Sequence, residues 1–329
     1  MMSIRNPQNT LKTLLKILIG WTLLLIMLGA YVRLSDAGLG CPDWPGCYGK
    51  LTVPNEAHEI HAATQAYGGT VDGSRAWKEM IHRYVAGLYV LTIMGMSWLA
   101  WRSKTLPRLL VLAPPVLVLL QAAFGMWTVT LKLMPIVVTG HLLGGLSMLA
   151  TLMFMHTMLS RADASIRLGT NWRRLGWGVL LATLLQLFLG GWVSTNYAGL
   201  ACNGFPACQG QFTPPAGMAE AMYPLRQLGE TAAGVSLSVT HLAAIHWLHR
   251  LGALVLLLTG VCWVIGLLKH RLALPAGLLI GALGVQLTLG IANVVWSMPL
   301  ALAVAHTGGA AVLLSTVVAV LGWSYGKRY

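Results

Sequence analysis

The chain has 329 residues, of which 56% are hydrophobic and 9% are charged, and its formal net charge is +13. Water-soluble domains carry about 25% charged residues, so this composition excludes an ordinary soluble protein and indicates a membrane protein. The positive charge does not indicate nucleic-acid binding, because the basic residues lie beside apolar segments rather than along one polar face.

Eight apolar segments are each long enough to cross a membrane as a helix, which takes about 20 residues at a rise of 1.5 Å per residue. The predicted fold class is therefore an all-α membrane protein with eight transmembrane helices. The first segment lacks a small-residue cleavage site, and we expect it to remain as a helix rather than to be removed as a signal peptide. The segments span residues 13–32, 80–101, 107–130, 136–159, 174–196, 243–268, 273–295 and 300–324.

The distribution of basic residues predicts the orientation of the chain. Most of them fall in the two tails and in alternate short loops, which the positive-inside rule assigns to the cytoplasm together with both termini. These residues are Arg5, Lys12, Lys16, Arg102, Lys104, Arg108, Arg161, Arg167, Arg173, Arg174, Lys269, Arg271, Lys327 and Arg328.

Two long loops, at about residues 34–78 and 198–240, fall on the outer side and carry paired cysteines. An oxidising outer compartment favours a disulfide in each loop, although free thiols or a redox couple are alternatives. A soft-metal site would need further ligands at suitable spacing. Cys262 stands alone in a predicted span, where we expect a small buried apolar side chain. The pairs are Cys41 with Cys47 and Cys202 with Cys208.

The two halves of the chain are similar in sequence. Residues 28–49 align without a gap with residues 189–210, and the alignment matches both cysteines of each loop. This tandem duplication gives each half four spans, so the two halves have the same orientation and form parallel repeats. We place the halves at residues 1–165 and 166–329, each as a four-helix bundle.

Four histidines occupy positions that the duplication matches, His82 with His249 and His141 with His306. An ionisable side chain within a span indicates a functional site, although a single one can also be a core histidine bonded to a backbone carbonyl. Two facing imidazoles in a four-helix bundle can supply both axial ligands of a haem iron. Zinc or copper would prefer three or four clustered ligands. The sequence therefore predicts one bis-histidine haem site in each half.

The two predicted sites differ at one position. Glu79 precedes His82 by three residues, whereas His246 stands three residues before His249. Residues three apart share a helix face, so we expect Glu79 to lie near the N-terminal site. There its carboxylate can exchange protons during oxidation of a C–H bond. The alternative is a glutamate at the start of a helix that interacts favourably with the helix dipole.

Arg83 and Arg250 each directly follow a candidate histidine ligand. Both are predicted to lie near the outer membrane interface. A guanidinium group there can pair with a haem propionate, or it can extend to a lipid phosphate. We assign both arginines to haem binding, one in each half.

Five motifs, taken together, resemble the haem A synthase family, and the resemblance covers nearly the whole chain. It implies oxidation of the C8 methyl group of haem O, through successive hydroxylations, to the formyl group of the haem A used by cytochrome oxidases. The motifs are VRLSDAGLGCPDWPGC after the first span, EMIHR at the second, GHLLGG in the fourth, LHRLGA in the sixth and AHTGGA in the eighth.

The resemblance also implies a role for each candidate residue. His82 and His141 would ligate the substrate haem O, and Glu79 would support its oxidation. His249 and His306 would ligate a permanent haem b in the C-terminal half. The paired loop cysteines match a cysteine-bearing bacterial branch of the family, in which they would stabilise the loops or assist redox chemistry.

The family includes bacterial and mitochondrial members, and the absence of an evident presequence favours a bacterial inner membrane, where the chain would lie among lipids. The resemblance implies haem O synthase as a neighbour in the pathway. The electron acceptor, the source of the inserted oxygen and assembly into a homo-oligomer are left open. Two alternatives are a dihaem cytochrome b that only passes electrons and a haem carrier or assembly factor. An acid at Glu79, without a counterpart in the other half, favours an enzyme, because a symmetrical electron-transfer protein does not need this difference.

Overall fold

A computed structural model describes residues 7–160 and 168–324, and these residues form ten α-helices and no β-strand. Eight helices are long and two are short. The short ones lie in the two long loops with the paired cysteines, which are called the outer loops after their predicted side. In chain order the helices are α1 Pro7–Leu34, α2 Ala57–Tyr67, α3 Gly73–Ser103, α4 Arg108–Thr130, α5 Pro135–Ser160, α6 Thr170–Thr195, α7 Met218–Met222, α8 Val239–Lys269, α9 Ala273–Val295 and α10 Leu300–Trp323.

The eight long helices coincide with the eight predicted spans, and each is long and apolar enough to cross a membrane. A helix satisfies its backbone hydrogen bonds internally, which the hydrocarbon core requires because it offers no water. The predicted class, an all-α multi-pass membrane protein, is confirmed. Of the basic residues used to predict orientation, five lie outside the described residues. They are Arg5, Arg161, Arg167, Lys327 and Arg328.

Four helices begin at least four residues earlier than predicted: α1 by six, α3 by seven, and α6 and α8 by four each. Their first turns are polar, so hydropathy does not detect them. Asp72 caps α3 and Ser238 caps α8, each accepting a hydrogen bond from a backbone N–H of the first turn. Glu79 therefore lies beyond the first turn of its helix, and its interpretation as a helix-start residue is wrong.

The long helices pack as two rings of four. In the first ring α1 contacts α3, α3 contacts α4, α4 contacts α5, and α5 closes the ring on α1. Helices α6, α8, α9 and α10 repeat this order. The rings meet through α1, α5, α6 and α10. The predicted division between residues 165 and 166 lies outside the described residues and stays a prediction.

The densest apolar packing lies at the end of each ring where its first helix begins. Leu15, Ile93 and Leu152 are fully buried in the first ring, and Trp263 and Val317 are fully buried in the second. Lipid is as apolar as these side chains, so close packing rather than the hydrophobic effect associates the helices. The opposite end of each ring carries the histidines and is covered by a long outer loop.

Small and polar residues join the two rings at this outer end. The hydroxyl oxygens of Thr139 and Thr195 lie 3.3 Å apart, and Arg33 donates to the Ser194 carbonyl at 3.0 Å. A β-carbon on Gly191 would lie 3.1 Å from the Thr139 methyl group, so a larger residue there would require Thr139 to shift. Hydrogen bonds and small residues of this kind are typical of helix contacts within membranes.

Candidate functional site

The C-terminal histidine pair faces across the second ring. His249 lies on α8 and His306 on α10, which occupy opposite corners of the ring. Their ring centroids are 6.5 Å apart, and the ring planes stand at 84° to each other. Two metal–nitrogen bonds of about 2 Å each fit between imidazoles at this separation.

The N-terminal pair occupies the equivalent corners of the first ring, with His82 on α3 and His141 on α5. Both side chains are half-buried, and the Nδ1 atoms of both rings are buried without a hydrogen-bond partner among the described residues. The Nδ1 atom of His306 is in the same condition. A buried polar atom without a partner is costly, so three such imidazole nitrogens indicate a functional site rather than an ordinary packed core.

The donor set fits haem better than a bare metal ion. No group of three or more His, Cys, Asp or Glu side chains that could hold an ion occurs in the part of the chain that the structure describes. Zinc sites use three or four protein ligands, whereas haem iron takes its four equatorial nitrogens from the macrocycle and needs two axial ligands. The paired histidines meet the second requirement.

Glu79 is buried, with 7% of its side chain exposed, and it joins α3 to the first outer loop. Its carboxylate accepts a hydrogen bond from the Cys41 backbone N–H at 3.0 Å and pairs with the Arg83 guanidinium at 2.5 Å. Arg83 also donates to the backbone carbonyls of Asp43, at 2.9 Å, and Gly46. The acid predicted from sequence is thus held rigidly, three residues before His82.

In the second half an arginine also holds the cysteine loop, but the position that matches Glu79 is not an acid. Arg250 donates to the carbonyls of Cys202 at 2.7 Å and Gly204 at 2.8 Å, and so holds the second cysteine loop. His246, which replaces Glu79, lies 3.1 Å from the Ala198 carbonyl through its Nδ1 atom. Arg83 and Arg250 therefore hold the loops in this structure, and their pairing with propionates stays a prediction.

Both predicted disulfides are formed. Cys41 joins Cys47 and Cys202 joins Cys208, with Cα atoms 4.8 and 4.7 Å apart. Each closes a small ring over the outer end of one helix bundle. The prediction for Cys262 is wrong, because its side chain is exposed on the surface of α8 rather than buried.

Outside the cysteine ring, the two outer loops are held by different contacts. In the second loop the buried Arg226 donates to the Asn196 side chain at 2.6 Å and the Ala221 carbonyl at 3.0 Å. In the first loop Lys50 pairs with Glu59 on α2, and this hydrogen bond is the main reason that the pKa of Glu59 is lowered to about 2. The two loops therefore share the cysteine ring and the arginine that holds it, and they differ in their remaining contacts.

Comparison with known proteins assigns the family. The family described as "Cytochrome oxidase assembly protein" matches residues 12–318, which is most of the chain. The chain belongs to this family. It is 43% identical over 315 residues to Heme A synthase from Shewanella oneidensis, covering 93% of this chain and 94% of that protein. It is also 28% identical to Heme A synthase from Caulobacter sp. strain K31 and 26% identical to that from Bradyrhizobium sp. strain BTAi1. These matches cover 89% and 92% of this chain, and 89% and 88% of the two relatives.

Four glycines that were not predicted as site residues pack against the candidate histidine ligands. Each lies on a neighbouring helix, where a β-carbon would stand between 3.1 and 3.6 Å from the imidazole Cε1 atom. Three of the four separations are tighter than ordinary van der Waals contact. The sequence repeat could have identified these glycines, because they occupy matching positions in the two halves. The contacts are Gly29 with His82, Gly125 with His141, Gly190 with His249 and Gly290 with His306.

Proposed function

We propose that the protein is a haem A synthase that oxidises the C8 methyl group of haem O to the formyl group of haem A, for the assembly of cytochrome oxidase. The observation that carries this proposal is a pair of equivalent bis-histidine sites, of which one alone has a buried carboxylate. The family membership and the names of the relatives support it.

The two halves would divide the work. Haem O, the substrate, would lie between His82 and His141, and a resident haem b would lie between His249 and His306. Bound haem b would supply one-electron redox chemistry. The contribution of the chain is to hold the imidazoles in place, to surround both macrocycles with apolar side chains, and to cover the outer end with the disulfide loops.

Glu79 would hold or move a proton beside the substrate. Its carboxylate is fixed by the Cys41 N–H and the Arg83 guanidinium, and the glutamate lies on the same helix face as His82. A carboxylate in this position can accept a proton that is released when a C–H bond is oxidised. Fixing the group beforehand avoids the cost of orienting it at the moment of reaction.

Arg83 and Arg250 would also neutralise haem propionates at the outer interface. The Nε atom of Arg250 is buried without a partner among the described residues, which leaves one donor for an anionic ligand. A charge-assisted hydrogen bond to a carboxylate is among the strongest that a side chain forms. The same guanidinium group would then connect the haem to the cysteine loop.

The chain would span a bacterial inner membrane with both termini in the cytoplasm. Two pieces of evidence support this orientation. The basic residues of the short connections α3–α4 and α8–α9 lie at the end opposite the disulfides, and disulfides persist on the oxidising side of the membrane. The residues of these connections are Arg102, Lys104, Arg108, Lys269 and Arg271.

Coexpression with a haem O synthase tests the proposed reaction. We expect haem A in solvent extracts of membranes that contain both proteins, identified by mass and by its absorption spectrum, and no haem A when His82→Ala replaces the wild type. Recovery of haem O and haem b alone, from wild-type protein that is folded and carries haem b, would contradict the proposal.

A further inference from the structure

Two glutamines contact the histidines of the C-terminal site. The amide nitrogen of Gln186, on α6, lies 3.0 Å from Nδ1 of His249 and 3.1 Å from the His249 carbonyl oxygen. The amide nitrogen of Gln286, on α9, lies 3.3 Å from Nε2 of His306. The side-chain oxygens of both glutamines are buried without a partner among the described residues.

Glycines one helical turn after the histidines make room for these carboxamides. Gly252 follows His249 by three residues, and a β-carbon there would collide with the Gln186 side chain. Gly309 is related in the same way to His306, and a β-carbon there would lie 2.5 Å from the oxygen of Gln286. Histidine, glutamine and glycine therefore form one packed unit at each corner of the site.

The N-terminal site has this unit only in part. Gln121 matches Gln286 and lies against Gly144, three residues after His141. The Nδ1 atoms of His141 and His306 are alike in having no hydrogen-bond partner among the described residues, so this corner resembles its counterpart.

At the remaining corner, that of His82, the unit is absent. Gly29 and Gly190 occupy equivalent places, one against His82 and the other against His249. The residue four positions before Gly29 is Leu25, whereas Gln186 stands four positions before Gly190. The residue three positions after His82 is Val85 rather than glycine. His82 is thus the one of the four histidines that has an apolar residue in place of the carboxamide.

We propose that Gln186 is a positioning residue, which fixes the imidazole ring of His249 by contacting the Nδ1 atom of that ring. Leu25 leaves His82 without such a contact, so the N-terminal site can exchange its ligand. The inference rests on the proposed function, since it assigns a resident haem to one site and a substrate to the other. It explains how two sites with the same histidine ligands can differ in how firmly they retain haem.

The physical basis is the second ring nitrogen of a metal-bound histidine. When Nε2 binds a metal, Nδ1 carries the proton and needs an acceptor, which orients the ring and makes it a stronger ligand. A carboxamide offers both a donor and an acceptor. By turning about its terminal bond, Gln186 exchanges its hydrogen bond to the His249 carbonyl for one that its oxygen accepts from the Nδ1–H group. Loss of such a partner typically lowers metal affinity about 10- to 100-fold. Leucine offers no acceptor.

The test measures release of haem b from purified protein to an excess of apomyoglobin. Gln186→Met keeps the length of the side chain but removes the acceptor, and we expect haem b to leave about 10- to 100-fold faster. Gln186→Glu keeps an acceptor, and we expect slow release with a lower reduction potential, because a stronger acceptor at Nδ1 favours ferric iron. Wild-type release and potential in Gln186→Met would overturn the proposal.

The reciprocal variant tests the other site. Leu25→Gln introduces a carboxamide beside His82, and we expect haem O to be released more slowly than from wild-type protein. Unchanged release of haem O would overturn the second half of the proposal, even if Gln186→Met did not fold. These measurements do not depend on turnover, so they separate a failure of this inference from a failure of the proposed reaction.

Discussion

At the level of a single residue, the proposed function would give Glu79 two roles, because it holds the first loop and lies three residues before His82 on α3. Gln at this position still accepts a hydrogen bond from the Cys41 N–H but can no longer exchange a proton. We expect Glu79→Gln to bind haem and to form haem A about 10² to 10⁴ times more slowly, the usual range for general acid–base help. Pigment extraction over time measures this rate.

His246→Gln provides the matched control, since His246 occupies the equivalent position in the second half and bonds the Ala198 carbonyl. We expect this variant to convert haem O at the wild-type rate. The catalytic assignment of Glu79 fails if Glu79→Gln also converts at that rate. Loss of haem from the variant would contradict the expected haem binding and would show that the carboxylate holds the site together.

The glycines against the imidazoles give a second prediction at this scale. A β-carbon on Gly290 would lie 3.1 Å from His306, whereas one on Gly284, on the same helix, meets nothing within 4 Å. Overpacking typically costs about 1–3 kcal/mol, so we expect Gly290→Ala to displace His306 and weaken the low-spin haem spectrum. Gly284→Ala should leave the spectrum unchanged. Identical spectra for the two variants would exclude close packing at Gly290.

At the scale of elements, the two cysteine loops predict which cysteines form disulfides and which one is free to react with an alkylating reagent. Peptide mapping without reduction should recover Cys41 joined to Cys47 and Cys202 joined to Cys208. Cys262, which is exposed on α8, should react with a membrane-permeant alkylating reagent. Free alkylation of all five cysteines in non-reduced protein would contradict both the disulfides and the outer placement of the loops.

Hydropathy predicted all eight membrane helices, but it did not predict how the loops attach to them. The first turns of α3 and α8 are polar and escaped detection. The partners of Arg83 and Arg250 escaped for another reason, since they are backbone carbonyls about 40 residues away in sequence, on loops without regular structure. Side-chain type alone does not specify a carbonyl partner, so the arginines were assigned to propionates.

For the whole molecule, the duplication predicted the candidate ligands. It paired His82 with His249 and His141 with His306, and the structure puts both pairs at equivalent corners of two helix rings. It did not predict that Gln186 contacts His249, because this contact breaks the repeat at Leu25. Differences between the halves are therefore as informative as their likeness, since the difference between Gln186 and Leu25 is the basis for proposing that one site retains its ligand and the other exchanges it.

The most direct test of the two-site account compares optical spectra and extracted haems of four alanine variants. His249→Ala and His306→Ala should lose the low-spin haem b signal, because each removes one axial ligand of the resident haem. His82→Ala and His141→Ala should keep that signal but fail to retain or convert haem O. Four variants with the wild-type spectrum and haem content would contradict the account.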